Sequence, residues 1–234
     1  MAEVRLHDIK NKISPNEVFD NILDRIIKLE LEPGQMISEN VMAGEYGISR
    51  TGIRNVFSRL NEIGFIEVYP QRGSFVTLFD TEYLRRLLRL RIAAEREILY
   101  EIIFGGQAKE KERIIKELEA NIEEQKKYTD EKDFKGVYAK LDMKFHKILI
   151  ESAKWGDFYT LLDSKMLHIE RWKNFDQAKK RIPKLIEQHT ELLSALKEDD
   201  YLKAAKVISN HLNTIPDEKF IMEMKEQKPE YFVK

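Results

Sequence analysis

Four polar side chains stand where a helical protein ordinarily buries carbon. Asp142 and His146 are four residues apart, so they stack on one side of a helix, beside an apolar line of Phe134, Val137, Leu141, Phe145 and Ile148. His189 falls near the middle of a second stripe, Ile182, Leu185, Ile186, Leu192, Leu193 and Leu196, and His211 lies beside Ile208 on the inward face of a third helical segment. A buried imidazole needs a hydrogen-bond partner, and one such histidine by itself reads as a satisfied core residue. Three of them converging with a carboxylate make an N3O donor set, which suits a divalent transition metal: Zn, Ni, Co, Fe or Mn. Of the other histidines, His7 reads as a surface residue and His168 as one that could line the same interior.

A second group of residues offers different chemistry. Arg50, Thr51, Arg54, Asn55, Ser58 and Arg59 lie beside the apolar stripe Ile53, Val56, Phe57 and Leu60. Arg50 and Arg54 share a helix face. Arginine can pair with guanine edges or clamp phosphates, and asparagine can read adenine. Further on, Arg72-Gly73 combines charge suited to a narrow groove with a residue that lets the backbone approach closely. Taken alone, the arginines fit a solvated helix face and the Arg-Gly pair an ordinary turn.

The elements that must position these groups follow from periodicity. Val18, Ile22, Ile26 and Leu29 recur at helical spacing behind Ser14-Pro15, a cap and a first-position proline, and Glu32-Pro33-Gly34 stops that helix. A short helix from about Ser38 to Tyr46 follows, Gly47 ends it, and Ser49 caps a third helix running to about Ile63. The period then changes. Phe65 to Tyr69 reads as a strand, Pro70 to Gly73 as a turn, and Ser74 to Leu78 as a return strand. Three helices with a tight turn between the second and third, followed by a hairpin, describe a winged helix-turn-helix, and that layout favours DNA over a bland charged face.

Beyond Asp80 the expectation is helix throughout, at about 80–104, 108–128, 131–152, 157–175, 183–197 and 200–213, with breaks at Gly105-Gly106 and Trp155-Gly156 and a cap region at Asp199-Asp200. The fold class expected is therefore mainly α: an N-terminal winged helix-turn-helix (residues 1–79), an all-α helical bundle (80–215), and a charged C-terminal tail (216–234) with a short helix and a loose end.

Composition sets outer limits. The 234 residues include 42% hydrophobic side chains, enough for a core, and no cysteine, which excludes disulfides and thiolate metal sites. Forty basic against 41 acidic residues give a net charge of −1. This balance argues against a general polyanion binder but leaves room for a local basic face. No apolar run reaches the roughly 18 residues a membrane span needs, and Met1 to Ile13 is too charged for a signal peptide, so a cytoplasmic protein without membrane contact is expected.

The segments Leu31-Glu32-Pro33-Gly34, Ile48-Ser49-Arg50-Thr51, Arg54, Arg59-Leu60, Gly64-Phe65-Ile66 and Arg72-Gly73-Ser74-Phe75-Val76 together resemble the GntR family of regulators over about residues 15–78. The resemblance implies that Arg50, Thr51, Arg54 and Gly73 touch DNA, with Asn55, Arg59 and Arg72 as further candidates at the same surface. Where that family often has Pro-Val-Arg-Glu-Ala, this chain has Gly52-Ile53-Arg54-Asn55-Val56, so an operator sequence is not carried over. From about Thr81 to His211, Arg91-x3-Glu95, Asp142-x3-His146, Glu187-x-His189 and His211-Leu212 are similar to the FCD domain of the FadR subfamily. That likeness implies a divalent metal held by Asp142, His146, His189 and His211. It also implies a small carboxylate effector, such as a sugar acid, rather than an acyl-CoA. Arg91 is the candidate for pairing that acid, against a purely structural ion pair with Glu95.

The function expected is a ligand-responsive repressor or activator, acting as a homodimer on a pseudo-palindromic double-stranded DNA operator. Two alternatives stand beside it: a constitutive DNA-binding dimer whose bundle is only structural, and a metalloenzyme using the same Asp and His set. An enzyme would leave the DNA-reading head unexplained and would need a general base that the sequence does not tie to the set.

Overall fold

The computed structural model describes residues 13–105, 108–129, 137–153, 156–175, 182–213 and 218–233. His7, Gly106, Phe134 and Trp155 lie outside them. The chain divides into two compact units, Met1–Phe79 with Met224–Lys234, and Asp80–Glu223.

In the first unit, α1 (Pro15–Ile27) begins with a full capping box: Ser14 Oγ accepts from Glu17 N–H and Glu17 Oε2 accepts from Ser14 N–H. Its buried face, Val18, Ile22 and Ile26, packs on Ile53, Val56, Phe57 and Leu60 of α3 (Arg50–Glu62). The short α2 (Glu39–Tyr46) also packs on α3, and Gly47, at φ 66°, makes the left-handed turn between them. Ser49 caps α3 through Gly52 N–H at 3.1 Å, whereas Ser38 precedes α2 without a side-chain cap bond.

The wing consists of β2 (Ile66–Tyr69) and β3 (Gly73–Val76), antiparallel with Ile66 opposite Val76 and Tyr69 opposite Gly73. A third strand, β1 (Met36–Ile37), pairs with the other edge of β3 and gives the order β1-β3-β2. Its two residues are too short to show an alternating pattern, so the sequence marks only the hairpin.

The end of the chain belongs to this first unit, which corrects the expectation of a loose tail. After α10 (Glu218–Gln227) and a 3-10 turn at Pro229–Tyr231, Phe232 pairs in parallel with Phe79. Phe79 N–H donates to the Tyr231 carbonyl at 2.8 Å, and Val233 N–H donates to the Phe79 carbonyl at 3.1 Å. Tyr231 and Phe232 are buried, and the Phe79 and Phe232 ring centroids lie 5.9 Å apart. Two apolar rings and two backbone bonds offset the entropy of fixing this segment, which charge composition alone does not reveal.

Among the described residues, the second unit is all helix: α4 (Thr81–Phe104), α5 (Ala108–Lys126), α6 (Val137–Ser152), α7 (Gly156–Phe175), α8 (Ile182–Lys197), α9 (Tyr201–Leu212) and the start of α10. Asp80 caps α4 through Tyr83 N–H and Asp200 caps α9 through Lys203 N–H. The helix α4 packs on α9 and α6, α5 on α6 and α8, and α8 on α9. Their shared core includes Ile98, Leu99, Leu118, Tyr138, Phe145, Leu149, Ile182, Leu196 and Ile208. One detail of the expected α6 stripe changes. Val137 is 44% exposed, and the buried line runs through Tyr138, Phe145, Ile148 and Leu149, so that Asp142 and His146 face fully inward. No helix among the described residues is long and apolar enough to cross a membrane.

Phe232→Ala is expected to destabilise the first unit by about 3–5 kcal/mol, the usual cost of removing a buried ring, and to speed hydrogen exchange at Phe79 N–H. A denaturation midpoint and an exchange rate that both match the wild type would show that the segment is not docked.

Candidate metal centre and nucleic-acid interface

Asp142 and His146 come from α6, His189 from α8 and His211 from α9, and one ligand atom from each lies within 4.8 Å of all the others. His146 Nε2 is 3.0 Å and His189 Nε2 3.1 Å from His211 Nε2, while Asp142 Oδ1 is 3.6 Å from His189 Nε2 and 3.9 Å from His211 Nε2. All four side chains are buried. The i, i+4 spacing aims the first two from one helix, and the packing of α8 on α9 brings the other two to the same point.

The opposite nitrogen of each ring has its own partner. His146 Nδ1 lies 2.7 Å from Glu95 Oε2, His189 Nδ1 2.7 Å from Gln125 Oε1, and His211 Nδ1 3.2 Å from Gln188 Oε1. An oxygen acceptor on Nδ1 calls for the Nδ1–H tautomer, which leaves the lone pair on Nε2. Three lone pairs then face one another with no hydrogen between them. Asp142 Oδ2 accepts from Lys173 Nζ at 3.1 Å, but Asp142 Oδ1, equally buried, accepts no hydrogen bond. Converging lone pairs and an orphaned carboxylate oxygen are what a cation would satisfy, and the set fits a divalent transition metal without thiolate ligands.

The electrostatics agree with that donor set. Burial pushes the His189 imidazole down to about 3 and the His211 imidazole well below its usual value, so both are neutral. Burial opposes the charge on Asp142, but the Lys173 ammonium outweighs it and holds the carboxyl well below its normal range. For Glu95 the burial penalty is likewise overcome, here by His146 and Arg91, which hold it at about 2.

Arg91 lies one step behind the cluster. Its Nε donates to Glu95 Oε1 at 2.7 Å, one turn along α4, so a buried ion pair stands behind His146. The structural pairing considered for Arg91 is therefore present. His168 packs edge-on to Tyr83 at 5.7 Å between centroids. The sequence marks Glu95 only as an ion-pair partner for Arg91 and gives no role to Gln125, Gln188 or Lys173. For Gln125 a signal existed: it is a polar residue on the face of α5 that buries Ile114, Leu118 and Ile122. Lys173 carries no comparable mark.

In the first unit, Arg50, Thr51, Arg54, Asn55 and Ser58 are exposed on α3, and Arg72 and Gly73 are exposed at the wing. Arg54 is already oriented, with Nε 3.3 Å from Glu39 Oε1 and Nη2 3.1 Å from Glu39 Oε2 on α2. Arg59 differs from its neighbours. Its Nη1 donates to Asn16 Oδ1 at 2.9 Å and its guanidinium lies 4.0 Å from the Phe19 ring centroid, which ties α3 to α1. Arg72 sits 5.9 Å from the Tyr69 ring centroid, next to Gly73 at φ 109°, where a side chain would be strained.

Known proteins bear on both units. Residues 15–76 match the family of bacterial regulatory proteins called gntR, and residues 86–214 match the FCD domain. An HTH-type transcriptional regulator in an unstable DNA locus of Streptomyces ambofaciens is 28% identical over 92% of this chain and 88% of its own length. The HTH-type transcriptional repressor RspR of Escherichia coli is 22% identical over 96% and 98%. The solved structure of E. coli McbR/YncC superposes with a TM-score of 0.62, covering 91% of this chain and 97% of that one, and at 15% identity it speaks for the fold alone. The family and the relatives are transcription regulators rather than enzymes. A winged helix-turn-helix matched by the gntR family, followed by an FCD bundle around a buried Asp and three His, makes this chain a member of the GntR family of DNA-binding transcription regulators.

Proposed function

We propose that the protein is a metal-dependent, ligand-responsive transcription regulator. The observation that carries this reading is the buried cluster of four ligand atoms whose imidazoles are each held from behind through Nδ1. Asp142 Oδ1 and the Nε2 atoms of His146, His189 and His211 would hold one divalent ion, which when bound supplies a Lewis-acidic anchor for an anionic ligand. Charge favours that class of ligand. Asp142 pairs with Lys173 and Glu95 with Arg91; a divalent ion beside these two balanced pairs leaves excess positive charge in a buried place, where an anion lowers the cost. A small organic or sugar acid is the class proposed, with Arg91 as its second partner.

At the other end, Arg50, Thr51, Arg54 and Asn55 on α3 and Arg72 with Gly73 on the wing form the proposed DNA contacts, with Arg59 holding α3 in place. Two such heads in a homodimer read a pseudo-palindromic operator in the cytoplasm. Because RspR carries the name repressor, repression is the proposed sign of action. Ligand occupancy changes operator affinity by favouring one of two head geometries, and the connection Thr77-Leu78-Phe79-Asp80, without glycine or serine, suits such a link.

For the metal, protein purified without an affinity tag should carry one equivalent of a transition metal, or take up one when titrated with Zn(II) or Ni(II), and His189→Ala should lose it. Less than about a tenth of an equivalent after titration to saturation would overturn the site. For the head, operator sequences selected from random DNA should bind wild type far better than Arg54→Ala at one fixed salt, by roughly 5- to 150-fold if Arg54 reads a base. Arg72→Ala should weaken binding through the wing. Equal affinities in both variants would sink the assignment. For the response, citrate added to the metal-loaded protein should shift operator affinity by roughly 5- to 150-fold, and Arg91→Ala should lose most of that shift. Arg91→Ala also strips Glu95 of its buried ion pair, a change that costs about 3–5 kcal/mol of stability, so the comparison is made where both proteins are folded. Citrate binding with superimposable operator curves would leave the bundle as a dimerisation platform.

A further inference from the structure

A row of buried amides runs behind His189. Asn121 Nδ2 donates to the backbone carbonyl of Leu141 at 3.2 Å, Gln125 Nε2 donates to Asn121 Oδ1 at 2.6 Å, and Gln125 Oε1 meets His189 Nδ1 at 2.7 Å. Asn121, Gln125 and His189 are all buried. The row begins on α6, one residue before Asp142, crosses α5, and ends on α8.

The direction of this row follows from its first member. A backbone carbonyl can only accept a hydrogen bond. Asn121 must therefore turn its amide NH2 toward Leu141 and its oxygen toward Gln125. Gln125 must then turn its NH2 toward Asn121 and its oxygen toward His189. An oxygen facing Nδ1 requires the proton on Nδ1 and leaves the lone pair on Nε2, the atom 3.1 Å from His211 Nε2 and 3.6 Å from Asp142 Oδ1. Reversing any one amide sets oxygen against oxygen or NH2 against NH2 in a buried place, and each unmade bond there carries its full desolvation cost.

We infer that Asn121 and Gln125 are positioning residues that lock His189 in the Nδ1–H tautomer and so keep its Nε2 available as a ligand. The inference deepens the proposed metal site and takes its purpose from it, but the tautomer itself is a property of the metal-free chain. Without the lock, His189 can carry its proton on Nε2 and donate it to His211 Nε2, a metal-free arrangement that would pair the two Nε2 atoms and compete with the ion.

The test uses the full-length protein, labelled with ¹⁵N in histidine and examined without metal. In wild type the His189 nitrogens should give the chemical shifts of the Nδ1–H tautomer. Gln125→Met, which removes the acceptor, and Asn121→Leu, which keeps Gln125 but removes the group that orients it, should both populate the Nε2–H tautomer. Gln125→Glu, an acceptor toward His189 that sets its other oxygen against Asn121 Oδ1, should keep Nδ1–H. Zn(II) affinity should follow the tautomer, falling on the order of 10- to 100-fold in the first two variants, as is usual when the partner of a metal-binding histidine is lost, and recovering in Gln125→Glu. An Nε2–H tautomer in wild type overturns the inference, as does an unchanged Nδ1–H tautomer in Gln125→Met and Asn121→Leu. If the tautomers behave as expected while wild type takes up no Zn(II), the lock stands and the metal reading falls.

Discussion

The second unit is organised around the cost of burying four polar side chains at one point. Asp142, His146, His189 and His211 sit in a core otherwise made of Leu, Ile and Phe, and each would destabilise that core if left without partners. The structure meets the cost from the outside inward. Glu95, Gln125 and Gln188 each take one ring nitrogen, Lys173 takes one oxygen of Asp142, and Arg91 holds Glu95. What remains unsatisfied faces the centre of the cluster. Helices α4, α5, α6, α7, α8 and α9 all contribute to this arrangement, so the packing of the bundle and the geometry of the site are one problem.

The first unit solves the opposite problem, which is to hold charged residues out in solvent while fixing their positions. An apolar face of α3 anchors the helix on α1, and Arg59 adds a polar and a cation–π contact at the same junction. Arg54 is held by Glu39 with two hydrogen bonds, so its side chain is exposed yet directed. Such an exposed pair contributes little stability in water; if Arg54 meets DNA as proposed, the pair limits the conformations the arginine must give up on binding. The C-terminal segment joins this unit through Phe79, at the point where the wing ends and the second unit begins in the chain.

In this reading the two kinds of chemistry stay apart. The residues proposed to meet DNA are exposed and carried on α3 and the wing, while those proposed to meet a metal are buried on α6, α8 and α9. None belongs to both sets. An influence of one on the other must therefore be conformational, and the buried ion pairs and amides around the site are elements that resist gradual deformation, as a two-state response requires.

Much of this was legible in the sequence because it is local. Helical periods, the Ser14 and Ser49 caps, the change of period at Phe65, and the i, i+4 spacing of Asp142 and His146 are all set within a few residues by backbone geometry. A histidine in the middle of the α8 stripe marks itself as buried. The four metal-ligand candidates could be named because each lies on an apolar face, and apolar faces point to a common interior. The partners that decide what those ligands do lie far away in the chain. Glu95 is 51 residues from His146, and Gln125 is 64 residues from His189; no periodicity connects them. Strand β1, with two residues, exists only because β3 offers it an edge, and Phe232 is buried only because Phe79 pairs with it. Arg59 and Arg54 look alike in the sequence, yet Phe19 and Asn16 claim one while Glu39 orients the other toward solvent. Local geometry chose the elements and the faces; which polar group met which was decided by helices brought together from distant parts of the chain, where burial leaves few ways to satisfy every donor and acceptor.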